Sequence, residues 1–251
     1  MTDLSGEHAV VTGGGSGIGL AVTRALLKQG AAVTVLDRAP AALETAAEVG
    51  AAAELADVVD AEAIEALAAR LAPADILVTC AGVLQSTLPP EELSWREWDR
   101  IVAVHQRGTY ACCRSFGGRM AARGHGAIVT ISSVAGIGTG PLHSYGPAKA
   151  AIAHMSKCLA AEWGPRGVRV NSVAPGFTET PALDRGVAAG VLGADRLRDG
   201  AALGRLVAAE EVANVVVFLA GPAASAVTGV VLPVDAGYLV SGDWGVYGGL
   251  R

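Results

Sequence analysis

Short runs of β-branched and aliphatic residues alternate along this chain with longer alanine-rich stretches of helical spacing, and that alternation restricts its fold more than any other feature. Residues 8–12, 32–36, 76–79, 127–132, 168–173 and 230–234 read as strands, with 51–55 a weaker seventh. A strand that is apolar on both faces needs cover on both, so the pattern predicts an α/β chain with a parallel sheet between two helical layers. No Pro/Ser-rich linker and no repeat of about 20 to 50 residues divides the sequence. Residues 1–251 are therefore expected to form a single domain.

Composition removes several classes of function. Hydrophobic residues make up 51% of the chain, enough for a large core, so disorder is excluded. Lys and Arg number 19 against 24 Asp and Glu, a net charge of −5, so no basic footprint exists for a nucleic acid. No apolar run reaches about 18 residues. Asp3 and Glu7 stand where a secretory leader carries basic residues, which points to the cytoplasm and away from membranes. Cys80, Cys112, Cys113 and Cys158 lack CxxC spacing and read as free, mostly buried thiols, with Cys112 and Cys113 on different sides of a helix. His8, His105, His125, His143 and His154 form no HExxH pair, so no catalytic metal is expected.

Directly after the first strand comes Thr12-Gly13-Gly14-Gly15-Ser16-Gly17-Ile18-Gly19, and helical spacing resumes at Leu20. Glycines there let backbone approach a pyrophosphate, whose charge meets the N–H groups of a helix N-terminus. The spacing of Gly13, Gly17 and Gly19 matches the general GxGxxG fingerprint only loosely. Asp37 ends the second strand eighteen residues after Gly19, close to the ~20 expected of an acid that hydrogen-bonds an adenosine ribose. A carboxylate there selects NAD, because a 2′-phosphate would meet repulsion of up to about 4 kcal/mol per unit charge at 4 Å. Arg38 offers such a phosphate a cation, and Asp37 also reads as a solvated strand-end carboxylate.

The second cluster is Tyr145-Gly146-Pro147-Ala148-Lys149, opening a helix that runs to about Glu162. Residues four apart share a helical face, so the phenol and the ammonium reach one site. Pro147 is tolerated in the first turn if Ser144 is the N-cap. Free tyrosine titrates near ~10, and nearby positive charge from Lys149 and an oxidised nicotinamide would lower it into a usable range. Ser132 and Ser133 close the preceding strand and can hold a hydroxyl beside the phenol; no GxSxG elbow makes either a nucleophile.

TGGGSGIG, Asp37, Ser133 and YxxxK, in this order, make the sequence resemble the short-chain dehydrogenase/reductase family over essentially its whole length. Asp57-Val58, Cys80-Ala81-Gly82, Asn171 to Gly176 and Val234-Asp235-Ala236-Gly237 look like further pieces of that family. The resemblance implies a single-domain Rossmann fold, a doubly wound seven-stranded parallel sheet with helices on both faces, commonly assembled as a homotetramer. It implies Tyr145 as general acid/base, Lys149 as the group that lowers its pKa and binds the nicotinamide ribose, and Ser133, rather than Ser132, as the hydroxyl that positions the carbonyl. For the cofactor it implies Gly13, Ser16, Gly17, Ile18, Gly19, Asp37, Asp57, Val58, Cys80, Ala81, Gly82, Pro175, Phe177, Thr178 and Thr180, with Tyr145 and Lys149. Two positions depart from the pattern: Cys80 replaces the usual asparagine of NAG, and His105 stands where a relay asparagine is usual. His105 reads either as a holder of water or proton shuttle, or as a packed core histidine.

The expected function is NAD-dependent interconversion of a secondary alcohol and a ketone. Val83, Leu84, Gln85, Leu142, His143, Phe177 and Leu183 around the inferred cleft are mostly uncharged, suggesting a largely apolar substrate. A 3-oxoacyl carrier-protein or coenzyme A reductase is the alternative, with Arg123 and Arg166 meeting an acidic carrier or merely solvated. From another class comes a non-catalytic NAD-binding regulator. Residues 177–203, rich in Gly and Ala, read as a lid or as short helices over a cleft. The tail 241–251, with Trp244 and Tyr247, reads as cover for a neighbouring subunit or cleft, or as a frayed end.

Overall fold

A computed structural model describes residues 2–188, 192–242 and 244 of the chain. Every predicted strand is present: β1 (His8–Thr12), β2 (Ala32–Asp37), β3 (Ala52–Leu55), β4 (Ile76–Thr79), β5 (Gly126–Ile131) and β6 (Val168–Pro175). Two short additions, β7 (Thr178–Glu179) and β8 (Val207–Ala208), pair with each other, and β9 (Val231–Val234) completes the main sheet. The seven main strands run parallel in the order β3-β2-β1-β4-β5-β6-β9. That order reverses between β1 and β4, which opens a crevice outside their carboxyl ends.

Helices cover both faces. They are α1 (Gly17–Lys28), α2 (Pro40–Glu48), α3 (Ala61–Arg70), then a rod over 95–123, then α7 (Tyr145–Trp163). In the rod, α4 (Trp95–Val102), α5 (Thr109–Cys112) and α6 (Gly118–Arg123) are joined by π-helical turns at Ala103–Gly108 and Cys113–Gly117. Later come α8 (Pro181–Ala188), α9 (Ala194–Asp199), α10 (Ala209–Ala220) and α11 (Tyr238–Ser241). Residues 177–203 thus carry short helices, one of the two forms expected. The segment 189–191 and most of the tail, Tyr247 included, lie outside the described residues.

Alternation along each strand divides the core. Ala9 and Val11 face a cluster with Val22 and Leu26 of α1 and Val212 and Val216 of α10. Val10 and Leu77 face the opposite cluster with Ile64 of α3, Phe116 and Met120 of the rod, and Trp163 of α7. Cys112 and Cys113 both sit fully buried in this second cluster. The rod is packed around more than one face, and neighbouring positions both find apolar partners. Cys80 is half-buried and Cys158 exposed. The doubly covered pattern fails at both edge strands, β3, where Leu55 is exposed, and β9, where Leu232 is exposed. Among the described residues no helix is long and apolar enough to cross a membrane.

Asp60 caps α3 by accepting from the Ala63 amide at 3.0 Å. Asp60→Ala should cost about 1 kcal/mol, read as a lower urea midpoint.

Candidate active site

The crevice begins at the glycine turn after β1. Gly13 has φ +66°, and a Cβ on it would lie 2.7 Å from the Ala81 Cα, so only glycine lets this turn meet the loop after β4. Thr12 Oγ1 clips the two together by accepting from the Cys80 and Ala81 amides at 3.1 and 3.2 Å. Gly19 packs onto the Gly13 carbonyl with no room for a side chain. At the start of α1, Ser16 makes no side-chain cap and the first turn holds no acid, which leaves its N–H groups open to an anion. A Cβ on Gly17 would lie 3.5 Å from Thr180 Cγ2, so the strap that follows β6 passes over the turn. A close glycine turn, an uncapped N-terminus and a covering threonine fit a pyrophosphate.

Asp37 ends β2 and Asp57 follows β3, both at the carboxyl edge of the sheet. Asp37 Oδ1 accepts the Ala39 amide at 3.1 Å. Arg38 Nη1 lies 3.7 Å from Asp57 Oδ2, so its guanidinium is drawn sideways to that carboxylate. Val58 is buried against Gly108. Along the strap, Pro175 ends β6, Thr178 Oγ1 donates to the Gly176 carbonyl at 3.0 Å, and Phe177 packs edge-on against Tyr238 at 5.1 Å.

The proton-transfer candidates gather at the end of β5. Lys149, only 5% exposed, donates from Nζ to the Ile131 carbonyl at 2.8 Å, and Ser132 Oγ donates to the Lys149 carbonyl at 2.8 Å. Ser132 is thereby spent on holding α7. Ser133 is half-buried, accepts the Ala135 amide at 3.1 Å, and sets its hydroxyl beside the Tyr145 phenol. Lys149 Nζ lies 5.5 Å from the Tyr145 ring centroid. Burial pushes the Tyr145 phenol above its ordinary value, while the Ser133 hydroxyl pulls it down. Burial also pushes the Lys149 ammonium down to about 8, against a small opposing pull from Cys80. In the protein alone the same burial disfavours both ions. Burial holds the Cys80 thiol up at about 11, so it stays neutral beside them.

His105 lies within a π-helical turn, 2% exposed, with its ring edge-on to Tyr145 at 5.1 Å. Its Nε2 lies 2.8 Å from the Val83 carbonyl and 3.1 Å from the Val83 amide, while Nδ1 is buried without a partner. Burial, then Lys149, pushes its pKa down to about 3. Burial thus favours the neutral imidazole in the protein alone, which supports the packed reading of His105 over the shuttle. The π turn itself had no sequence signal, although such turns cluster at functional sites.

Other expected residues fall elsewhere. Gln85 is buried, with its side-chain amide engaged by the Ser144 and Tyr145 amides. Arg123 pairs with Asp75 and Arg166 with Glu162, just before the amino ends of β5 and β6, at the opposite edge of the sheet from the crevice. Neither is placed to meet a carrier there. At that edge Glu7, Asp75 and His125 bring their ligand atoms within 4.8 Å of one another, but the Arg123 guanidinium already supplies Asp75 with positive charge.

Residues 13–239 match a family model described as Enoyl-(Acyl carrier protein) reductase. A solved structure described as a short chain dehydrogenase/reductase family protein is 38% identical, with TM-score 0.88, covering 95% of this chain and 100% of that one. This chain belongs to the short-chain dehydrogenase/reductase family. Galactitol 2-dehydrogenase of Rhizobium johnstonii is 41% identical over 250 residues, covering 94% of this chain and 96% of the relative. A structure described as ribose-5-phosphate isomerase from Brucella melitensis 16M is 55% identical, with TM-score 0.97, covering 100% and 99%. The family member is an oxidoreductase that interconverts a secondary alcohol and a ketone, binds a nicotinamide cofactor and acts on a small molecule. The regulator reading is set aside.

Lys149 should lose its charge near pH 8 in the cofactor-free protein, cationic below and neutral above. Titration of the Lys149 side chain by NMR, assigned with Lys149→Met, checks this; titration above pH ~10, the ordinary lysine range, would contradict it.

Proposed function

We propose that this enzyme oxidises a secondary hydroxyl of a small polyol with NAD, using Tyr145 as general base, Ser133 to hold the reacting oxygen and Lys149 to anchor both. The observation that carries this reading is the convergence of Ser133, Tyr145 and Lys149 beside the glycine turn at one end of the sheet. The likeness to galactitol 2-dehydrogenase supports a polyol over the largely apolar substrate expected from sequence. The burial of Gln85 removes the one amide of the expected cleft wall, leaving Ser133, His143 and backbone to meet hydroxyls.

When bound, NAD supplies the position that takes up or gives back the hydride. Tyr145 as phenolate accepts the hydroxyl proton in oxidation, and as phenol returns it to the carbonyl oxygen in reduction. Ser133 donates to that oxygen as negative charge develops on it. Lys149 holds α7 against β5 and directs its ammonium toward the ring of Tyr145. Gly13, Ser16, Gly17, Ile18 and Gly19 would hold the pyrophosphate, with Thr178 and Thr180 above it. Asp57, Val58, Cys80, Ala81 and Gly82 would line the adenosine and nicotinamide ribose side, with Pro175 and Phe177 near the carboxamide. His105 moves no proton; it packs against Tyr145 and holds Val83. A cytoplasmic homotetramer completes the reading.

Asp37 supports NAD over NADP, since Arg38 is engaged with Asp57 and leaves a carboxylate facing the ribose. Turnover efficiency should favour NAD over NADP by about 100-fold, and Asp37→Ser should shrink that to less than about tenfold. Equal use of both cofactors by the unaltered enzyme would contradict the assignment. On a panel of galactitol and other secondary alcohols, Tyr145→Phe should lower kcat by about 1,000-fold or more with cofactor affinity intact.

The likeness to the structure described as an isomerase supports a second reading, an aldose–ketose isomerisation. Such a reaction returns both hydrogens to the substrate and has no use for a dinucleotide turn. Conversion of ribose 5-phosphate without added NAD would favour it; strict NAD dependence of all turnover would dismiss it.

A further inference from the structure

The start of α7 is capped by a residue sixty positions away in sequence. Ser144 holds the N-cap position but has helical angles, φ −106° and ψ −35°, and makes no side-chain cap of its own. Gln85 does that work. Its buried Oε1 accepts three hydrogen bonds, from the Ser144 amide at 2.9 Å, the Ser144 hydroxyl at 2.9 Å and the Tyr145 amide at 2.8 Å. Its Nε2 donates to the Ser86 carbonyl at 3.2 Å. Tyr145 is the first residue of a 19-residue helix, where amides lack intrahelical partners and the backbone frays unless tied.

The loop that presents Gln85 is fixed at both ends. Cys80 and Ala81 donate to Thr12 at the glycine turn, Val83 is held by His105, the Leu84 carbonyl accepts from Arg100 at 2.8 Å, and the Ser86 amide donates to Glu97 at 2.6 Å. One short stretch therefore joins the pyrophosphate turn to the backbone of Tyr145. The groups facing the phenol ring are Lys149 on α7, His105 on the rod, Ser133 after β5 and Cys80 after β4.

We propose that Gln85 is a positioning residue: its amide oxygen, carried by the loop after β4, sets the first turn of α7 and so fixes the Tyr145 phenol against the reacting oxygen. This rests on the reading of Tyr145 as the proton-transfer group. Gln85→Leu keeps the size and removes the acceptor, leaving three donors unpaired. Its kcat should fall about tenfold at every pH while KM for the alcohol and Kd for NAD stay within about twofold, because the other clips still hold the loop. Gln85→Glu keeps the acceptor and adds negative charge near the phenol. It should restore kcat at high pH and move the acidic limb of the pH profile for alcohol oxidation upward by about half a unit, since an anion favours the protonated phenol.

Unchanged kcat in Gln85→Leu overturns the proposal, as does an equal loss of kcat in both variants. Should Gln85→Leu not fold, an unshifted pH profile in Gln85→Glu overturns it alone. Tyr145→Phe separates the two levels: full activity in that variant sinks the acid/base reading itself, whereas an inactive Tyr145→Phe beside an undisturbed Gln85→Leu sinks only the positioning role.

Discussion

Lys149 donates to the carbonyl that ends β5, and Ser132 on the same strand end donates back to the Lys149 carbonyl. These two hydrogen bonds dock the first turns of α7 onto the sheet, and the candidate site is arranged around them. Because Lys149 is nearly inaccessible, its ammonium must have a partner or lose its proton, and Ile131 provides one. Tyr145 is placed by the same docking, one turn earlier on the same face, with Ser133 two residues beyond the strand end.

Burial gives this arrangement its chemistry. A phenol and an ammonium removed from water both favour their neutral forms, so neither is primed in the protein alone. Proton transfer then depends on what fills the crevice between β1 and β4. The glycine turn and the open N-terminus of α1 follow β1, Asp37 ends β2, and the parallel register brings them to the same edge of the sheet. His105 and Gln85 transmit that placement. One holds the loop after β4 to the rod, and the other holds the loop to α7.

Much of this was legible from sequence because it is local or periodic. Strand positions follow from runs such as Ala9-Val10-Val11, whose alternate residues fill the two separate cores. Tyr145 and Lys149 needed only helical spacing to share a face. Ser132 and Ser133 were separable by likeness, and the hydrogen bond from Ser132 to Lys149 supplies the physical reason. What could not be read depends on contacts between distant segments. Gln85 looked like a cleft residue, since nothing local shows that its side chain turns inward to residues 144 and 145. His105 looked able to titrate near neutrality, since its depth behind Tyr145 and its distance from water are properties of the packed fold. The π turns of the rod leave no periodic signature distinct from an α-helix.

Tyr145 should behave as a masked acid, held above the ordinary tyrosine value by burial in the free enzyme and lowered when NAD is present. Proton exchange with substrate near neutrality requires that shift. The direct measurement is the NMR titration of tyrosine labelled at Cζ, with the Tyr145 signal assigned by Tyr145→Phe, in the free enzyme and with saturating NAD. A downward shift on NAD binding is the predicted result. A signal that titrates at the same pH with and without NAD would contradict the account.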